Sequence, residues 1–407
     1  MFWRRIQPER RTNRYVEEMP YSRRRFLAST SLALGSSALP ASSLLAAQAS
    51  PGHSPFARVT ELRIISQQPT YYHGWATLTK APEGTLYVAY SGGRDGHVCP
   101  FGRVELIRSH DEGRTWTWPE VLMDSAIDDR DAGMCVTPKG SLLVTTFTSL
   151  AFERALEKSG SDWHAERRGR WVAAHERVSA EERKSLLGTW MLRSADGGLT
   201  WSAPYRVPLN SPHGPTALQD GRLIYAGRSF WSEPNRMGIA VSSDDGQSWD
   251  WLCDLPVRPG DTLENYHELH AVQAKSGKII VHIRNHNDVN RRETLQCEST
   301  DLGRTWSTPH EIGVWGLPSH LLRLQDDRLL MSYSYRRKPH GNQARISSDE
   351  GKTWGTPLTL SDDSFHGDLG YPSTVELKDG SLYSVWYEQL ASSPMAVLRA
   401  ARWKLQS

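Results

Sequence analysis

The sequence predicts an all-β fold, a six-bladed β-propeller, on three observations. An eight-residue turn pattern recurs five times, a turn-then-strand pattern recurs six times, and the composition suits short strands. Of the 407 residues 38% are hydrophobic, while 16 Trp and 32 Gly favour twisted strands joined by Gly-rich turns over a helical core. Self-similarity at a fixed period outweighs local propensity, because each repeat is one structural unit that stacks on the next.

The first pattern reads S-x-D-x-G-x-[TS]-W, at Ser109–Trp116, Ser194–Trp201, Ser242–Trp249, Ser299–Trp306 and Ser347–Trp354. Its chemistry explains its spacing. The Asp side chain accepts bonds from turn amides, the Gly takes positive φ, and the Trp packs between neighbouring sheets. These segments resemble the Asp-boxes of the sialidase and bacterial-neuraminidase-repeat superfamily, and the resemblance runs from about residue 60 to the C-terminus. It implies that each box joins the third and fourth strands of a blade, on the face opposite the active site. Asp111, Asp196, Asp244, Asp301 and Asp349 are therefore read as structural.

The second pattern begins at Gly84, Gly140, Gly221, Gly277, Asp327 and Gly380, each followed by a short apolar strand. Each fits a tight hairpin between the first two strands of a blade. Five positions are Gly, and the fifth in order is Asp. Six hairpins and five boxes imply six blades. The last, lacking a box, is expected to be closed by the early strand Val59–Ser66, which removes exposed sheet edges.

One region breaks the rhythm. Adjacent boxes lie 48 to 57 residues apart, except for a gap of 85 between Asp111 and Asp196. The surplus, residues 149–187, carries near-helical apolar spacing, and Ser179-Ala-Glu-Glu182 reads as a capping box. It falls between the second and third strands of blade 2, where it predicts a lid or funnel wall on the active face.

Residues 1–49 read as an export signal of the twin-arginine type. Ser22-Arg-Arg-Arg-Phe-Leu27 supplies the motif, Phe26–Leu45 a weakly apolar stretch, and Ala47-Gln48-Ala49 the cleavage pattern. Residues 50–407 form the propeller domain, periplasmic or secreted. The formal net charge of +2 gives no support to a nucleic-acid surface. No run of about 18 apolar residues follows residue 50, so no membrane span is expected. Cys99, Cys135, Cys253 and Cys297 form no C-x-x-C pair, and their spacing leaves disulfides open. No metal-ligand cluster is visible and no cofactor is expected.

The innermost strand of each blade starts just before its hairpin, so its first residues should line the central funnel. Counting back gives His73, Asp131, His213, Glu268 with His267 and His270, His320 and Tyr371. Counting forward to the end of the second strand gives Arg94, Arg228, Arg284, Arg336 with Arg337, and Glu388. Arg228, Arg284 and Arg336 occupy matching positions on three consecutive blades, where forked guanidinium groups could grip a carboxylate.

The resemblance adds roles. Gly370-Tyr371-Pro372-Ser373, followed by Trp386-Tyr387-Glu388, looks like the family's tyrosine blade, so Tyr371 matches the nucleophile. Glu268 and Arg284 match the glutamate partner and second arginine, and Arg336 the third. A tyrosine of intrinsic pKa near 10 needs a carboxylate to take its proton. Two departures stand out. His73, in Tyr72-His73-Gly74-Trp75, replaces the first arginine, and Arg94-Asp95-Gly96-His97 offers Asp95 or His97 as acid/base, with Asp95 the candidate taken.

The leading reading is an exported glycoside hydrolase related to sialidases and acting on an acidic sugar. Tyr371, Glu268 and Asp95 would be catalytic, with Arg284, Arg336, Arg228, His73, His213, His267 and His320 binding substrate. Two rivals are a uronate-specific polysaccharide lyase using His and Tyr beside an Arg-neutralised carboxylate, and a non-catalytic sugar-binding propeller.

Overall fold

The computed structural model describes residues 56–159, 163–231 and 234–406. The export signal expected at residues 1–49 lies outside the described residues. Six four-stranded antiparallel sheets follow one another along the chain as the blades of a propeller. Blade 1 is typical, with strands Tyr72–Lys80, Leu86–Arg94, Arg103–Ser109 and Glu120–Met123 running from inner to outer edge. Blade 6 takes its three inner strands from Leu369–Glu376, Leu382–Gln389 and Ala396–Gln406, and its outer strand from Phe56–Ile64. The closing strand thus starts three residues earlier than the sequence suggests and stops before Ser66. The Ser66 hydroxyl instead accepts the Leu398 amide at 2.7 Å, which ends the ladder.

All six hairpin residues, Asp327 included, adopt positive φ, between 69° and 109°. Asp tolerates that region better than most residues, which is why it stands in for Gly there. The five repeated turns share one bond set. In each, the Asp carboxylate accepts the amide of the residue four positions on at 2.8–3.0 Å. The Ser hydroxyl two residues before it accepts the Gly amide at 2.7–2.9 Å. Side chains thereby satisfy turn amides that no ladder reaches.

Each turn then delivers its Trp to an apolar cluster shared by two neighbouring blades. Trp116 packs at the blade 1–6 junction, Trp201 at 1–2, Trp249 at 2–3, Trp306 at 3–4 and Trp354 at 4–5. The remaining junction, between blades 5 and 6, is filled by Trp386 and Trp403 from blade 6 itself. Six junctions therefore receive tryptophan from five turns and one strand pair.

The insertion forms three helices, Ala151–Glu157, Ala165–Glu176 and Ala180–Leu186, between the second and third strands of blade 2. The capping box is present, with Ser179 and Glu182 bonded reciprocally. Phe152 and Trp171 bury with Cys99 and Ile127 to make a small core of their own. All four cysteines stand unpaired as thiols. Among the described residues, no helix is long and apolar enough to cross a membrane.

A Cβ placed on Gly113, at φ +85°, would meet the Tyr383 ring of blade 6 at 2.5 Å. Gly113→Ala should cost about 1–3 kcal/mol of stability, read as a lower midpoint in chemical denaturation.

Candidate active site

The inner strands of blades 1, 2 and 6 lose register near their starts, at Tyr72–Thr77, Arg130–Gly133 and Gly370–Ser373. At each break one large or charged residue is left-handed: Trp75 at φ 52°, Asp131 at φ 49° and Tyr371 at φ 55°. Such conformations cost roughly 1–3 kcal/mol each and persist only where surrounding structure over-determines them. A bulge re-aims the side chain it carries. Here all three side chains line one cavity of about 340 Å³.

Tyr371 is 3% exposed, and its hydroxyl donates to Glu268 Oε1 at 2.7 Å. Arg284 Nη1 donates to both Glu268 oxygens, at 2.8 and 2.6 Å, and to the Tyr371 oxygen at 3.2 Å. Burial raises the Glu268 carboxyl, but the charge of Arg284 and the Tyr371 hydrogen bond outweigh it and hold it at about 2. Burial, then the charge of Glu268, push the Tyr371 phenol well above its usual value. In the resting site the shared proton therefore sits on tyrosine. Glu268 is aligned to receive it once a developing positive centre lies against the phenol oxygen.

Two further arginines line the same cavity. Arg336 donates Nε to the Leu369 carbonyl at 3.1 Å, and its guanidinium stands 5.9 Å from the Tyr371 ring. Arg130 lies 4.4 Å from the Trp75 ring centroid, with carboxylate contacts to Asp128 at 3.5 Å and Asp131 at 4.0 Å. The shorter and better-formed partner of Asp128 is Arg94, at 2.6 Å, and both of those side chains are fully buried. Arg130 keeps donors to spare for an anion. Counting back from the hairpin reaches Asp131 and not its neighbour Arg130, which regular strand alternation would put on the opposite face. The bulge between Arg130 and Gly133 cancels that alternation. Burial raises the Asp131 carboxyl to about 7 despite Arg130, with the Glu268 charge adding to the rise.

His267 also lines this cavity, its ring 4.4 Å from that of His286. Other sequence candidates lie elsewhere. His73 is fully buried and bonded through Nδ1 to the Ser66 hydroxyl at 2.7 Å; the cavity residue from its strand is Trp75. Arg228, 3% exposed, gives one guanidinium nitrogen to the carbonyls of Leu263 (2.7 Å) and Tyr266, so it does not join Arg284 and Arg336. Glu388 is buried against Arg399 at 2.7 Å. His213 and His320 meet His270 further along the inner strands, around a separate cavity of about 260 Å³. Asp95 is taken by the insertion, accepting from Trp171 Nε1 at 3.0 Å beside Arg170 and Arg167. Its loop neighbour His97 lines the cavity instead. The insertion contributes Ala151, next to Ser149, to the cavity wall. No group of three or more His, Cys, Asp or Glu is arranged to hold a metal ion among the described residues.

The model of the BNR repeat-like domain matches residues 159–384, more than half of the chain. The chain belongs to that family. The fold of this BNR protein is similar to that of a protein of unknown function from Dyadobacter fermentans DSM 18053. There the TM-score is 0.70 at 20% identity, covering 86% of this chain and 99% of the other. The NanB sialidase of Streptococcus pneumoniae gives a TM-score of 0.60 at 13% identity, covering 84% and 70%. An intramolecular trans-sialidase from Ruminococcus gnavus gives 0.58 at 13%, covering 84% and 96%. At these identities the likeness is one of fold. No curated protein matches this BNR chain.

The clustered His213, His270 and His320 give a pH prediction. Burial holds His213 at about 4 and drives His270 and His320 well below their usual value. The unfolded value is near 6.5, so their contribution to stability is whole above pH 6.5 and is lost as pH falls towards 4. Asp131, raised to about 7 from an unfolded value near 3.9, works oppositely: its contribution is whole at low pH and lost as pH rises through 7. Melting temperatures between pH 7.5 and 4.5 should fall less steeply in His213→Gln than in the parent, and more steeply in Asp131→Asn.

Proposed function

We propose that this protein is an exported glycoside hydrolase, related to sialidases, that cleaves an acidic sugar by way of a tyrosine nucleophile. The observation that carries the reading is the hydrogen-bonded Tyr371–Glu268–Arg284 group in one cavity with Arg336 and Arg130. The two arginines that are not committed to Glu268 would hold the sugar carboxylate, replacing its hydration with forked donors. Tyr371 would attack the anomeric carbon while its proton passes to Glu268, and water would release the sugar in a second displacement. A neutral phenol approaches an anionic substrate without the repulsion that a carboxylate nucleophile would meet. The sialidases of similar fold support this reading. The glutamate at about 2 makes a weak resting base, so the proton would move late, as positive charge grows on the sugar.

The decisive experiment is a screen of the purified protein against acidic glycans, following new reducing ends and absorbance near 235 nm together. Reducing ends alone establish hydrolysis. Absorbance as well would overturn it in favour of uronate elimination, and binding without either would leave a sugar-binding propeller. On the substrate so found, Tyr371→Phe should lower kcat by on the order of 10³ or more while leaving binding intact. Arg130→Ala should raise KM by about 10- to 100-fold, a change that initial-rate kinetics would read directly.

A further inference from the structure

A glycosidic bond breaks only if the departing oxygen is protonated or already a stable anion, and in the hydrolase reading the Tyr371–Glu268 pair serves the anomeric carbon rather than that oxygen. Some other group at the cavity has to carry a proton. Asp95, on the blade 1 loop, is held by Trp171 and the insertion arginines and does not line the cavity. Two residues further on, His97 does, and its side chain is 47% exposed.

His97 is held from behind. Its Nδ1 lies 2.9 Å from Asp368 Oδ1, and Asp368 also accepts from the hydroxyls of Tyr72 at 2.9 Å and Tyr387 at 3.0 Å. Burial raises the Asp368 carboxyl, but its bonds from His97, Tyr72 and Tyr387 prevail and hold it at about 2. It is thus ionised and can only accept, so Nδ1 carries the hydrogen and Nε2 is the nitrogen left to face substrate. The imidazole and Trp75 rings also stand in a T-shaped pair, their centroids 4.9 Å apart. Asp368 immediately precedes the strand Leu369–Glu376 and lies three residues before Tyr371, so the orienting carboxylate enters the site on the same chain segment as the tyrosine.

We propose that His97, oriented by Asp368, is the catalytic acid and base of this site. The proposal rests on the hydrolase reading. In the first step His97 enters as the imidazolium, with Nδ1–H on Asp368, and gives its Nε2 proton to the leaving oxygen as the C–O bond breaks. Tyr371 oxygen bonds to the anomeric carbon, and the phenol proton goes to Glu268. In the second step Nε2 takes a proton from water as the water oxygen attacks the same carbon. The bond to Tyr371 breaks and Glu268 returns the phenol proton. Asp368 is a positioning residue.

The test compares leaving groups in the full protein, using 4-nitrophenyl and alkyl α-glycosides of N-acetylneuraminic acid and 4-nitrophenyl and alkyl β-glycosides of glucuronic acid. A nitrophenolate leaves without a proton, whereas an alkoxide does not. In His97→Ala, kcat/KM should fall by about 10²–10⁴-fold on the alkyl glycoside and by less than about tenfold on the aryl one. Asp368→Asn should move the alkyl-to-aryl ratio the same way by a smaller factor. His97 is half exposed, so an unchanged melting temperature will show that His97→Ala folds. Equal losses on both glycosides, or no loss on the alkyl one, overturn the assignment while hydrolysis by Tyr371 stands. If Asp131→Asn separates the two leaving groups and His97→Ala does not, the acid is Asp131 and the proposal fails. No cleavage of any of these probes by the parent protein overturns the hydrolase reading and this role with it.

Discussion

Six sheets share six cores only if the first meets the last, and here that meeting is the pairing of Phe56–Ile64 with Ala396–Gln406. Without it blade 6 would lose its outer strand and expose an edge, and the Ala57 and Val59 side chains would leave the blade 5–6 cluster. Closure also sets the site. Tyr371 comes from blade 6 and Trp75 from blade 1, and their rings belong to one apolar cluster at that junction. The geometry of the cavity and ring closure therefore depend on the same contacts.

The mouth concentrates charge on largely buried side chains, which constrains how each group is used. Arg284 is matched by Glu268, Arg94 by Asp128 and Arg399 by Glu388, each pair at 2.6–2.7 Å. Burying a charge is costly unless it is paired and hydrogen-bonded. Arg336 and Arg130 are the exceptions at the cavity, with one backbone carbonyl and two longer carboxylate contacts respectively. A bound anion would complete their hydrogen bonding.

The insertion works in a way its position alone did not reveal. Its Trp171 and two arginines capture Asp95, fixing the loop that carries His97, while Ala151 joins the cavity wall. It builds the wall of the site less by covering it than by anchoring a loop of the neighbouring blade. Its own small core packs with Cys99 and Ile127 beside that anchor.

Repeats made the propeller legible in the sequence. The spacing of five turns and six hairpins counted the blades, and the chemistry of Asp, Gly and Trp in each turn foretold bonds that the structure contains. Topology also brought Tyr371, Glu268, Arg284 and Arg336 to one mouth, since all four lie at matching ends of inner or second strands. What escaped was whatever depends on departures from the regular strand. Arg130 reaches the cavity through a bulge that sequence periodicity does not register, and Arg228 turns to backbone carbonyls of blade 4. His97 finds its partner Asp368 at a separation of 271 residues. The sequence by itself determined the fold and the blade positions from which Tyr371, Glu268, Arg284 and Arg336 reach the cavity, because both follow from local patterns repeated in register. Only the tertiary structure decided which groups face the cavity, because bulges, ion-pair competition and the insertion act between segments remote in the chain.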